Sequence, residues 1–235
     1  MNLLDFAVIG IFAIIILLGL YKGFLHSACS TIALILSCIL AFVFMLVMSN
    51  SIRANENLYN MMQYYTEGSE FINDSELSKS DISTLSSADL NEIINNSNLP
   101  YPIGKEIMEN IAKEAFADEN ISTLGDYFNL TMVNVFINIV SFLALYLIIR
   151  VILAFAINWF DYAYTLPKLK VYDPLFAVAA SFIHGMLVLF LVFMLIPVAL
   201  TLMGSLEFVN ELVDGSVFAP LFYKSNFLLS WMPGV

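Results

Sequence analysis

Long apolar runs and one long polar stretch alternate along this chain. Leu3–Leu20 is apolar apart from Asp5 near its start, and Ala28–Met48 carries no charge. A polar segment follows from Ser49 to Leu130. Then comes an apolar run from Thr131 to about Phe160, broken only by Arg150, and an uncharged one over Leu175–Met203. Each run reaches the ~20 residues a helix needs to cross ~30 Å of hydrocarbon. The pattern predicts an all-α integral membrane protein with four transmembrane helices, at about 3–20, 28–48, 131–155 and 175–203. The first two form an N-terminal hairpin over 1–48 and the last two a hairpin over 131–203. Between them lies a loop over 49–130, and a tail covers 204–235. The third run is too long for one straight crossing. A span beginning at Thr131 ends at Arg150, whose long stem can reach the interface. Val151–Tyr164 then reads as a bent or surface-lying segment, rich in the aromatics that favour the headgroup level (Phe155, Trp159, Phe160, Tyr162 and Tyr164).

The polar segment has its own periodicity. Ser86 and Asp89 stand at capping-box spacing before an apolar turn. Ile103, Ile107, Met108, Ile111, Ala115 and Phe116 fall along one helical face. Two or three short helices are expected there, lying on the membrane or on each other.

Composition agrees with a lipid solvent. Apolar residues make up 60% and charged residues 12%, with 20 phenylalanines; an ordinary globular domain has about 45–50% and about 25%. The net charge of −11 is concentrated: Ser49–Leu130 holds 14 acidic and 4 basic residues, which is −10 of it. The loop is therefore acidic and solvated, and a nucleic-acid partner, which needs a basic face, is not expected. The short connections instead carry Lys22 with His26, and Lys168 with Lys170 after Arg150. The positive-inside rule puts those connections in the cytoplasm, and the N-terminus, the acidic loop and the C-terminal tail outside. The first run is retained rather than a cleaved signal, because its positive charge follows the apolar stretch and no A-x-A-like site appears. Cys29 and Cys38 lie nine residues apart, on nearly opposite sides of one helix, and cannot pair within it.

Several residues stand out. Gly19 and Gly23 fit G-x-x-x-G, whose flat strip lets another backbone approach, and Gly23 also falls where the chain must turn. Lys22 anchors that turn. Ala177, Ser181 and Gly185 repeat the small-residue spacing on the fourth helix, which opens with Asp173 as N-cap before Pro174. Asp5, Lys22, Arg150 and Asp173 are the charges at the membrane interfaces, and Asp173 is expected to pair with Arg150 or Lys22. His184 is an ionisable group well inside an apolar run, facing a polar neighbour within the bundle or serving a functional role.

Enzyme signatures are missing. There is no P-loop, C-x-x-C, H-E-x-x-H or G-x-S-x-G. Tyr172-Asp173 looks like half of an intramembrane aspartyl protease, but G-x-G-D does not occur, and Asp5 belongs at the opposite interface. No catalytic residue, cofactor or metal site is expected.

Asp5, then Gly19, Tyr21, Lys22, Gly23, Phe24 and His26, then Asp173, Ala177, Ser181, His184 and Gly185, and the tail D-G-S-V-F-A-P-L-F together resemble the colicin V production (CvpA) family of bacterial inner-membrane proteins. In that family's pattern Ala177 and Ser181 stand where glycines do and His184 where an arginine does. The resemblance spans nearly the whole chain except the loop. It implies a non-enzymatic component supporting toxin or peptide production or export and envelope homeostasis, held in the inner membrane by the lipid bilayer and partnered by copies of itself or other membrane proteins. Two other classes fit the sequence: an oligomeric small-solute channel or transporter, and an adaptor that recruits a partner through its acidic loop.

Overall fold

The computed structural model describes residues 1–159, 172–202 and 207–235. Phe160, Tyr162, Tyr164, Lys168, Lys170 and Met203, which carry part of the sequence reading, lie outside the described residues. The described chain is helical: α1 (Leu3–Lys22), α2 (Phe24–Arg53), α3 (Glu56–Tyr65), α4 (Ser75–Ser78), α5 (Ser87–Asn96), α6 (Ile103–Ala112), α7 (Leu124–Trp159), α8 (Asp173–Phe193), α9 (Leu195–Leu202), α10 (Glu207–Asp214) and α11 (Phe227–Ser230). Among the described residues the extended pairing is one isolated bridge, Asp81 with Thr123.

Four stretches are long and apolar enough to cross a membrane: Leu3–Lys22, Phe24–Arg53, Leu124–Ile157 and Asp173–Leu202. They leave large apolar side chains facing outward, among them Phe6, Leu17, Ile32, Val43, Ile152 and Phe182. Only 17% of the apolar window of α1 is buried inside the protein, a degree of exposure that water would penalise and hydrocarbon does not.

Local chemistry sets the helix ends. Asn2 caps α1 in a capping box, accepting from the backbone N–H of Leu4 and Asp5 while its own N–H donates to Asp5. Gly23 ends α1 with φ +82°, a left-handed conformation that disfavours any side chain. α7 begins at Leu124, a full turn and more before the expected Thr131, because Thr123 and Asp126 cap it reciprocally. It then continues as one helix past Arg150 to Trp159, a stretch with no proline or glycine between Phe142 and Trp159. The fourth expected span, in contrast, is interrupted. Pro197 cannot donate to the carbonyl of Phe193 and its ring crowds it, and α8 ends there.

The chain divides into two compact units. The first comprises Met1–Met45, Phe142–Phe193 and Glu207–Asn226. Its organising contact is α1 along α8. Phe222 packs back onto this pair, its ring tilted or edge-on against those of Phe12, Phe190 and Phe193. Asn226 donates to the carbonyls of Phe190 and Phe222 at 2.8 and 3.0 Å.

The second unit comprises Leu46–Ser141, Met194–Leu206 and Phe227–Val235. Its core is Leu90, Ile103, Ile107, Ile111, Phe116, Leu124, Tyr127, Phe128 and Met132, all buried. Ser86 and Asp89 form the capping box of α5. The Ile103 face packs inward, but α6 ends at Ala112. Glu114 turns the chain with φ +48°, so Ala115 is exposed and Phe116 re-enters the core from a separate turn. The last residues are not a loose tail. Leu228, Leu229 and Met232 are buried in this unit, and Gly234 is held from both sides, its N–H donating to Glu106 and its carbonyl accepting from Asn110.

Candidate functional site

The singled-out residues of the first unit gather at the two ends of α1 and along the strip between them. At the N-terminal end, Asp5 is fully buried. Its Oδ1 accepts from Ser216 Oγ at 2.6 Å, Val217 N at 2.9 Å and Phe218 N at 3.2 Å, while Oδ2 accepts from Asn2 N at 2.8 Å. Ser216 Oγ in turn accepts from the N–H groups of Phe218 and Ala219. Asn2 donates to the carbonyl of Leu212 at 2.6 Å. One carboxylate therefore holds the chain start to the Gly215–Ala219 turn through four donors, which is how a buried charge becomes tolerable.

Along the strip, α1 and α8 touch where side chains are smallest. A Cβ on Gly19 would stand 1.7 Å from Ser181 Oγ and 2.8 Å from Ser181 Cβ, and one on Gly185 would stand 2.9 Å from the Phe12 ring. Ala177, one helical step before Ser181 on α8, is fully buried as well.

At the other end, Asp173 accepts from the backbone N–H of Phe24 at 3.3 Å, and a Cβ on Gly23 would meet its Oδ2 at 3.1 Å. Asp173 thus caps α2 across the turn as well as opening α8. Among the described residues no ion pair joins it to Arg150 or Lys22. The pairs present are Met1–Asp5, Lys105–Glu106, Lys113–Glu109 and Lys224–Asp214. The expected partner of Asp173 is replaced by a backbone donor, because Arg150 turns elsewhere: its Nη2 donates to Ser30 Oγ at 2.8 Å, and its Nη1 is buried with no partner among the described residues. Asp5 and Asp173 sit at opposite ends of α1, about 30 Å apart by helical rise, and form no dyad.

Beside the turn lies a cavity of about 130 Å³, lined by Ile15, Leu18, Gly19, Lys22, His26, Ser27, Ser30, Ser181 and His184. Ser27 donates to the carbonyl of Gly23 at 3.0 Å, and Ser181 donates to Ser27 at 3.3 Å. Thr31 Oγ1 donates to the carbonyl of Ser27 and meets His184 Nδ1 at 3.5 Å. The polar neighbour that His184 faces is therefore Thr31. Arg150 lies close enough for its charge to act on both His26 and His184. No carboxylate lines the cavity among the described residues. Cys29 and Cys38 are both free, and no group of three or more His, Cys, Asp or Glu able to hold a metal ion occurs among the described residues.

The second unit carries a polar site the sequence reading did not pick out. Thr131, Asn134, Asn138 and Ser141 are buried at three- and four-residue spacing along α7. Asn138 accepts from Arg53 at 3.3 Å and donates to the carbonyl of Pro233 at 2.8 Å, and Thr131 accepts from Asn110 at 2.9 Å. The signal was present as four small polar residues recurring on one face of an apolar run. Burial pushes the Glu106 carboxyl above the ordinary range, partly countered by Lys105 beside it. The exposed Ser86 hydroxyl and N–H hold Asp89 below that range.

These features define a class, a helical protein with four apolar stretches compatible with multiple membrane crossings. No family model, curated protein or solved structure matches the chain.

Proposed function

We propose that this chain is a non-enzymatic, CvpA-like component of the bacterial inner membrane that supports export of a peptide toxin or upkeep of the envelope. In this reading the N-terminus, the acidic segment and the chain end face outward. One observation supports it above the others. The residues that carry the resemblance contact one another: Asp5 binds Ser216, Val217 and Phe218, Gly19 abuts Ser181, and Gly23 abuts Asp173. Short motifs scattered over more than 200 positions thus share one structural task, closing a membrane unit at both ends. That favours a scaffold over a catalyst.

The experiment is removal of the gene in its native host. Loss should raise uptake of a membrane-impermeant dye, or lower secretion of a plasmid-encoded peptide toxin, and the wild-type chain should restore it. D5A, which strands three donors of the chain-end turn, should be produced but restore poorly. A host unchanged in both envelope and secretion would sink the proposal. A channel is the second reading, favoured by the hydroxyl- and histidine-lined cavity beside Lys22. Ion or solute flux in liposomes containing the purified protein separates it from the first.

A further inference from the structure

The cavity beside the Gly23 turn has an unusual balance of charge for a membrane-spanning segment. Its polar lining comes from three helices: Lys22 at the end of α1, His26, Ser27 and Ser30 on α2, and Ser181 and His184 on α8. A fourth helix contributes Arg150, bonded to the lining residue Ser30. Every ionisable side chain in this set is a base. The carboxylate at the turn, Asp173, is engaged by the Phe24 N–H and is not part of the lining. Arg150 does not itself line the cavity; held by Ser30 and by Tyr146, it sets a fixed positive charge behind the lining hydroxyl. Ionisable residues at such depth mark ligand or ion sites more often than packing.

We propose that this cavity is a binding site for a phosphate group, with Lys22, His184 and the Ser30 hydroxyl as its principal donors and Arg150, bonded to Ser30, as the charge behind them. The size fits: about 130 Å³ lies well above the roughly 10–15 Å³ that one water requires. The arrangement fits as well. Donors approaching from several helices suit a tetrahedral oxyanion, whose oxygens point in different directions, better than a planar carboxylate. Lys22 adds a compact point charge at the helix end, and Tyr21 beside it is 89% exposed, as residues at the headgroup level are. The phosphate can belong to an anionic lipid entering from the adjacent leaflet or to a free ion. The donor chemistry is the same for both, and the site stands whichever physiological role the protein has.

The test uses the full chain purified in dodecyl maltoside micelles in phosphate-free buffer. Two isothermal titrations are run, one with inorganic phosphate and one with short-chain phosphatidylglycerol. Saturable binding of one ligand per chain is expected in at least one. Lipid binding alone identifies a headgroup site, ion binding alone a free-phosphate site, and either supports the proposal. Arg150→Gln removes the charge behind Ser30 and should weaken the observed binding about tenfold. Ser30→Ala removes only a hydroxyl and keeps the test valid if Arg150→Gln does not fold; it should cost about fivefold. Lys224→Ala, which disrupts the exposed pair with Asp214, should bind like the wild type. No saturable binding in either titration overturns the proposal, as does unchanged affinity in Ser30→Ala together with any folded Arg150→Gln protein.

Discussion

At the scale of single residues, three carboxylates of this chain each take backbone N–H donors from a distant segment, and for Asp5 and Glu106 a positive group stands beside them as well. Asp5 takes three donors from the Ser216–Phe218 turn, Asp173 takes the Phe24 N–H, and Glu106 takes the N–H of Gly234. An isolated carboxylate can be read from sequence as a charge, but a backbone partner cannot, since every residue offers the same N–H. The expected pairing of Asp173 with Arg150 or Lys22 therefore gave way to a bond no residue pattern signals. Glu106 has a measurable consequence. Its carboxyl is harder to ionise in the fold than in the unfolded chain because burial penalises the charge. The protonated group thus favours folding. That contribution is whole below the ordinary glutamate value and is lost as pH rises through the higher folded value. Thermal melts of the purified protein should show this pH-dependent loss, and Glu106→Gln, which keeps an acceptor for Gly234, should flatten it. An unchanged pH dependence in the variant would show that Glu106 is not its source.

At the scale of elements, apolar runs and caps were legible and lengths were not. The four long helices follow from hydropathy alone, and the α5 cap from Ser86 and Asp89. The start of α7 at Leu124 was missed, because the Thr123–Asp126 cap lies in the polar segment, ahead of the apolar run. The G-x-x-x-G spacing singles out Gly19, where a Cβ would stand 1.7 Å from Ser181 Oγ. It could not name the partner, which lies more than 150 positions away. That contact predicts a specific epistasis. Gly19→Ala should lower the melting temperature through overpacking against Ser181, at a cost of about 1–3 kcal/mol. Ser181→Gly removes both offending atoms, so the double variant should recover most of the loss. A double variant no more stable than Gly19→Ala alone would place the strain elsewhere.

For the whole molecule, four crossings would put the chain start and the segment after α9 on one side, and within the first unit these two do meet: Asn2 bonds Leu212 and Asp5 bonds Ser216. Which side that is rests on the positive-inside rule applied to few charges, so orientation is the point on which the account turns. The direct measurement is labelling of single cysteines with a membrane-impermeant thiol reagent on intact cells, after Cys29 and Cys38 are replaced by serine. Tyr21, Asp118 and Ser225 are exposed positions in the α1–α2 turn, the acidic segment and the chain end. Asp118→Cys and Ser225→Cys should be labelled in intact cells, and Tyr21→Cys only after lysis. Labelling of Tyr21→Cys alone in intact cells would invert the protein and place its acidic segment in the cytoplasm. Opposite accessibility of Asp118→Cys and Ser225→Cys would contradict the four-span arrangement itself.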